Sequence, residues 1–392
     1  MSNLIKPELS IKTIGITIKK HLATPDISLD EHVRQCQIAL AGTLENKRAI
    51  YLDVNFWNQI TDASIGASNN SLAHELLGLL RELVSNGQIF CPISDSTFIE
   101  AFKQKIPHVR KATAHLIDEL SLNVALIPFD MRVGTELAHF IHSSSTPASV
   151  YPLDQLVWSR PSYVLGYVHP KTTRFDPATE LAMQKAFFDH MWSFPFSEIV
   201  ERIGDSQLSD SLIFDSLAMR LNIGNAEHAD ELRSFPHTYR VEIEGIIDIY
   251  ANIAAEIMND MAYKATGSSA PRGSEEWITV EHQCKNHLAE EFKKEPAKNA
   301  LRTPHINACL HAYIRWNKGH KLEANHFYDF RHASAALGYC DVFLTERQLR
   351  DIVTAKHTAL DKRYGCHVIH RLDEAVTCLR EMRDIQTPKT NP

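Results

Sequence analysis

Apolar residues run without alternation from Ala49 to Leu52 and stop at Asp53. An unbroken run of this length fits a strand covered on both faces, as in a parallel sheet. The chain before it, residues 1–46, carries one amphipathic pattern from Asp30 to Leu44 and reads as a helical arm. After it, Leu72, Leu76, Leu79, Leu80 and Leu83 share one helical face, and Asn86-Gly87 supplies a C-terminal stop. A second strand is expected over Gln88–Ile93, leading through Ser94-Asp95-Ser96-Thr97 into a helix that carries Glu100. A helix over Pro107–Leu120, a strand over Asn123–Ile127 and a helix over Asp130–His142 continue the alternation. Strand and helix in turn predict βαβ units around a parallel sheet.

That rhythm breaks at residue 144. Residues 144 to about 178 are rich in Pro, Tyr and Ser without a clear period, and helical patterns dominate from there to 319. Ile246, Tyr250, Ile253 and Ile257 form the clearest stripe, and Ala265–Ser274 reads as a loop. Alternation resumes with a helix over Asp329–Leu337, a strand over Val342–Leu344, helical residues Thr345–Lys356, a strand over Cys366–Ile369 and a helix over Leu372–Met382. The pattern therefore predicts an α/β domain in two halves, 47–143 and 320–384. A helical insertion at 144–319 would interrupt it, and 385–392 would form a polar tail.

Composition narrows the function classes. Of 392 residues, 44% are hydrophobic and 23% charged, as in an ordinary soluble globular protein. No apolar run approaches the roughly 18 residues a membrane span needs, and Ser2–His21 lacks a continuous apolar signal region. Seven cysteines without paired spacing fit reduced residues and a cytoplasmic location. A net charge of −7 opposes nucleic-acid binding through the whole surface but leaves room for a local patch, for which Lys103, Lys105, Arg110 and Lys111 are candidates. No Gly-rich phosphate loop, Ser nucleophile elbow or His-Glu-x-x-His occurs, and His282 and His287 fall off one helical face.

The candidate chemistry lies in four acids, Asp53, Glu100, Asp329 and Glu346, each after a strand or at the opening of a helix. In a parallel sheet with right-handed crossovers those places share one edge. Four carboxylates there repel one another unless a divalent cation such as Mg²⁺ or Mn²⁺ neutralises them. One or two such ions can activate water and stabilise the leaving oxygen in phosphodiester cleavage. Plain structural roles lead to the same edge. Thr97–Glu100 matches a capping box, Asp329 suits an N-cap, Glu346 a first-turn acid and Asp53 an Asx-turn.

Ile50-Tyr51-Leu52-Asp53-Val54-Asn55 resembles the opening motif of PIN-domain nucleases, a hydrophobic strand ending in Asp-x-Asn. Ser96-Thr97-Phe98-Ile99-Glu100 resembles the family's second element. Asp329-Phe330-Arg331-His332-Ala333-Ser334-Ala335-Ala336-Leu337 followed by Cys340-Asp341-Val342-Phe343-Leu344-Thr345-Glu346 resembles the third and fourth. The resemblance covers roughly 47–143 and 320–384. It implies a three-layer α/β/α PIN-like fold, with Asp53, Glu100 and Asp329 as Mg²⁺ or Mn²⁺ ligands and Asn55 and Thr345 as polar groups behind them. Glu346 would be the fourth acid, with Asp341 as the alternative, although Asp341 precedes its strand. From their place in the first turn of the expected Asp329 helix, Arg331 and His332 could contact a phosphate, or have a helix-packing or surface role. Phe56 and Trp57 suit core packing better than base stacking.

The implied activity is endoribonucleolytic cleavage of single-stranded or looped RNA, in a family that often serves as toxins or defence effectors. RNA contacts would come from the insertion, the 103–111 patch or a second copy of the chain, and an inhibitory or regulatory protein could control it. Two other readings stand beside this one. A haloacid-dehalogenase-like phosphatase would want an acid where Asn55 stands, and a catalytically silent PIN-like scaffold would use its insertion to bind a protein.

Overall fold

The apolar run at residues 49–52 forms β1 (Arg48–Leu52), the centre of the fold. The structure, a computed structural model, describes residues 11–145, 150–171, 174–204, 212–228, 234–317 and 320–385. Two helices precede β1, α1 (Ile11–Leu22) and α2 (Leu29–Leu44), where the pattern announced only the second. After β1 come α3 (Val54–Ser64), α4 (Ser71–Ser85), β2 (Ile89–Phe90), α5 (Asp95–Lys103), α6 (Pro107–Ser121), β3 (Ala125–Leu126) and α7 (Phe129–Ser145). The middle of the chain supplies α8 (Leu153–Leu156), β4 (Trp158–Ser159), α9 (Pro177–Trp192), α10 (Phe196–Ile203), α11 (Leu212–Glu227), α12 (Phe235–Thr266), α13 (Glu275–Glu291), α14 (Glu295–Ala300) and α15 (Arg302–Trp316). The last part holds α16 (Ala324–Tyr339), β5 (Val342–Leu344), α17 (Arg347–Val353), α18 (Leu360–Tyr364), β6 (His367–Ile369) and α19 (Leu372–Ile385). The polar tail expected from 385 lies outside the described residues beyond its first position.

The chain is mostly helical around a small parallel sheet in the order β2-β1-β5-β6. Its register pairs Ile50 with Val342, Leu52 with Leu344 and Arg48 with Ile89. Ile50 and Leu52 enter an apolar cluster with α3, α4, α6 and α19, while Ala49 and Tyr51 enter another with α2, α15 and α16. Both faces of β1 are thus covered, which is why its apolar residues do not alternate. Helix α4 ends as its Asn86-Gly87 stop predicts, with Gly87 at φ 71°, a conformation that favours glycine.

Three expectations change. The third strand is short and pairs antiparallel with β4, so residues 158–159, expected to be patternless, enlarge the strand structure. Only a bridge from Ile93 to Ala125 joins it to the β2 segment. Helix α16 starts at Ala324, five residues ahead of Asp329, where Glu323 and His326 form a reciprocal cap. The last helix of the expected insertion, α15, is no appendage: Ile306, Cys309 and Leu310 share a core with Tyr51 and Phe343. No helix among the described residues is long and apolar enough to cross a membrane.

Candidate functional site

β1 and β5 lie side by side, and backbone pairing continues past their apolar residues. Asp53 N donates to Leu344 O and Thr345 N donates to Ile369 O. Asp53 and Thr345-Glu346 therefore stand together at the carboxyl edge of the sheet, where α/β sheets place their ligands. Helix α5 follows β2 and brings Glu100 to the same edge. Helix α16 runs down to the start of β5, so its N-terminal half, with Asp329 and His332 three residues apart on one face, stands beside the strand ends.

The electrostatics show how closely these acids share one space. Burial raises the Asp53 carboxyl to about 6; Thr345, His332 and the Phe56 amide pull it down, and Glu346 pushes it up. Burial likewise raises Asp329 to about 7, opposed by His332 and reinforced by Glu100, Glu346 and Asp53. The four segments thus bring their acids within mutual influence. Their oxygens do not form a cluster within 4.8 Å. Glu100 Oε2 is instead bonded to His332.

His332 lies at the centre of the site. Its Nε2 is 2.5 Å from Glu100 Oε2 and its Nδ1 2.6 Å from the Tyr51 hydroxyl, both within hydrogen-bond distance. Tyr51 also meets Ser94 Oγ at 2.6 Å and Thr97 Oγ1 at 3.0 Å. Burial disfavours an imidazolium here, yet Tyr51 and Glu100 outweigh it and hold the His332 pKa well above its ordinary value. Sequence reasoning gave His332 a phosphate or packing role; the structure gives it Glu100 and Tyr51. The signal was its three-residue spacing from Asp329, read together with a tyrosine inside the buried strand.

The plain capping roles divide. Asp53 is the N-cap of α3, its Oδ1 accepting from Phe56 N at 3.2 Å, which leaves Oδ2 for other partners. Glu100 is no cap: the capping box of α5 is Ser94 with Thr97, one turn earlier. Asp329 sits in the second turn of α16 and caps nothing. Glu346 occupies the N-cap position of α17 without a side-chain cap bond. Three of the four acids are thus placed at this edge without a helix-capping role.

Other candidates fall elsewhere. Asp341 accepts from Ala49 N at 2.8 Å, at the start of β5, so it belongs to the opposite edge of the sheet and is no fourth acid. Asn55 is exposed and accepts from Gln59, its helical neighbour, rather than standing behind Asp53. Thr345 is buried beside Asp53, and its Oγ1 makes no hydrogen bond of ordinary geometry among the described residues. Arg331 reaches Asp95 at 3.4 Å and covers the Phe129 ring, which ties it to packing rather than to a phosphate.

The basic cluster also divides. Arg110 is buried at 4% exposure with its guanidinium on the carbonyls of Gln104 and Gly204, so it is no surface cation. Lys103 Nζ sits 4.3 Å from the centre of the Tyr328 ring, while Lys105 and Lys111 are exposed. Phe56 and Trp57 are core residues, as expected. Trp57, Glu100, Lys103 and Lys105 line one groove of about 550 Å³ beside the acids.

Buried acids with raised pKa values set a pH dependence. In their folded-state pKa, Asp53 and Asp329 lie above the ordinary carboxylate value, so below about pH 4 their contribution favours the folded state in full. It is lost as pH rises through about 6 and 7. His332, also raised, loses its stabilisation in the same direction. In chelator, urea unfolding should show the protein less stable at pH 8 than at pH 5, with Asp53 alone contributing on the order of 1–2 kcal/mol over that interval. A stability that climbs over this interval would mean the acids are not buried together. No protein-family model matches the chain, and no curated protein or solved structure matches it.

Proposed function

We propose that this chain is a PIN-like, metal-dependent endoribonuclease with a three-layer α/β/α core. The observation that carries the reading is the convergence of Asp53, Glu100, Asp329 and Glu346 from four separate segments on one sheet edge, where burial and mutual repulsion hold Asp329 near 7. A donor set of carboxylate oxygens suits Mg²⁺ or Mn²⁺. The residues fit such an ion: Asp53 keeps Oδ2 beyond its cap bond, Glu100 keeps Oε1 beyond His332, and the Asp329 and Glu346 carboxylates are not taken up by side-chain hydrogen bonds among the described residues. Bound there, a divalent cation would supply charge neutralisation and a water acidic enough to attack a phosphodiester.

The protein's own groups do the rest. His332 balances part of the acid charge and orients Glu100, while Tyr51, Ser94 and Thr97 fix the imidazole. The groove carrying Lys103 and Lys105 gives a polyanionic strand a path past Glu100. Incubation of a mixed RNA pool with the full chain and Mn²⁺ should give fragments, and EDTA should abolish them. Asp341→Asn, at the far edge, should change the rate by less than about twofold. A pool left intact in Mn²⁺ would refute the reading.

The bond between His332 and Glu100 favours a second reading, a PIN-like scaffold in which the histidine stands where a metal would and no cleavage occurs. Mn²⁺ titration in a calorimeter separates the two, because the scaffold should give no heat of binding.

A further inference from the structure

Far from the acid edge, two histidines and an aspartate meet between three helices. His21, in the last turn of α1, places Nε2 2.7 Å from Asp189 Oδ2. His32, in the first turns of α2, places its own Nε2 2.6 Å from Asp189 Oδ1. Asp189 comes from α9, and the imidazoles meet edge to face with centroids 4.8 Å apart. His21 is 4% exposed. Among the described residues this is the one group in which three metal-ligating atoms lie within 4.8 Å of one another.

We propose that His21, His32 and Asp189 form a site for a zinc-class divalent ion that fastens the N-terminal helix pair to α9. Two imidazole nitrogens and one carboxylate are the donor set of zinc and its late first-row neighbours, whereas Mg²⁺ and Ca²⁺ take oxygen ligands. The chemistry therefore differs from that proposed at the sheet edge, and the two sites can be separated. The scaffold is already in place. Lys185, four residues before Asp189 on α9, donates to the carbonyls of Thr24 and Ile27 at 3.0 and 2.6 Å, fixing the turn that carries His21 into His32. Cys36 lies one helical turn beyond His32 and close enough to feel the charge of Asp189. Water, or the Cys36 thiolate after its thiol has released a proton to solvent, would complete a four-coordinate set.

Loading requires each Nε2 to present a lone pair. A neutral imidazole now donating from Nε2 must carry its hydrogen on Nδ1 instead, and an imidazolium must release one proton to solvent. The released charge of Asp189 then faces the cation rather than two N–H groups.

The test uses the full chain, stripped with chelator and titrated with Zn²⁺ in a calorimeter, with thermal unfolding in parallel. One equivalent should bind at micromolar affinity or tighter and raise the melting temperature. His21→Gln/His32→Gln should lose that equivalent, while Asp53→Asn/Asp329→Asn should keep it. X-ray absorption of the zinc-loaded wild type provides a reading that needs no variant, with two imidazoles expected around the metal. Absence of binding, an equivalent that survives in the double glutamine variant, or a metal shell without imidazole would overturn the proposal.

Discussion

Replacing Asp53 and Asp329 together by asparagine is expected to abolish RNA cleavage, by about a thousandfold or more, and at the same time to stabilise the protein at pH 8. The activity follows from the donor set: asparagine offers one neutral oxygen where a cation needs charge, and losses of this order accompany removal of central electrostatic groups. The stability follows from burial. Both carboxyls are raised, to about 6 and about 7, so at pH 8 each is held charged in a place that disfavours charge. Neutral side chains remove that penalty, a gain on the order of 2–4 kcal/mol once the coupling between the two acids is discounted. Asparagine also serves as an N-cap, so the Phe56 bond at the head of α3 is kept. Cleavage rates and urea unfolding at pH 8 in chelator check both halves. A variant that loses activity and stability together would mean that the acids hold the fold.

The second large effect is expected far from the proposed chemistry. Glu136 on α7 is fully buried and accepts from Thr303 N at 2.9 Å, from Thr303 Oγ1 at 2.5 Å and from the Tyr339 hydroxyl. Thr303 opens α15 and Tyr339 ends α16, so one carboxylate joins three helices. It also sits at a helix N-terminus, where the dipole favours negative charge. Burial still raises Glu136 to about 7, with Thr303 and Tyr339 opposing. Glu136→Ala would leave buried donors without an acceptor and should cost about 3–5 kcal/mol. Glu136→Gln keeps an acceptor and should cost about 1–2 kcal/mol. Equal losses for the two variants, measured by urea unfolding at pH 6.5, would show that the side chain matters for its volume alone.

Much of this architecture could be read from pattern. The unbroken run at Ala49–Leu52 located the central strand, and the alternation after it located α4, α6 and α7 with their ends nearly in place. Strand β5 and helix α19 were equally plain. Helix α16 was cut short because its early residues, including His326, Phe327, Tyr328 and Phe330, are buried almost all round, which erases the amphipathic period. Strand β4 has two residues and leaves no periodic trace.

At the site, the sequence supplied the acids but not the histidine that links Glu100 to Tyr51. Asp341 and Arg110 were separable from position. The first precedes its strand, and the second shares a helical face with Thr113, Ala114 and Ile117, so its burial was legible. The meeting of His21 and His32 with Asp189 was not legible: the partners are more than 150 residues apart, and no spacing rule spans such a gap.

The neighbour that completes β1 arrives late. Ile50 pairs with Val342, so on a ribosome adding 5–20 residues per second roughly 15–60 s separate the synthesis of the two strands. For most of that interval Asp53 and Glu100 exist without Asp329 and Glu346. A nascent chain therefore carries half of its acid edge and an open strand edge, and both are completed by the same late event.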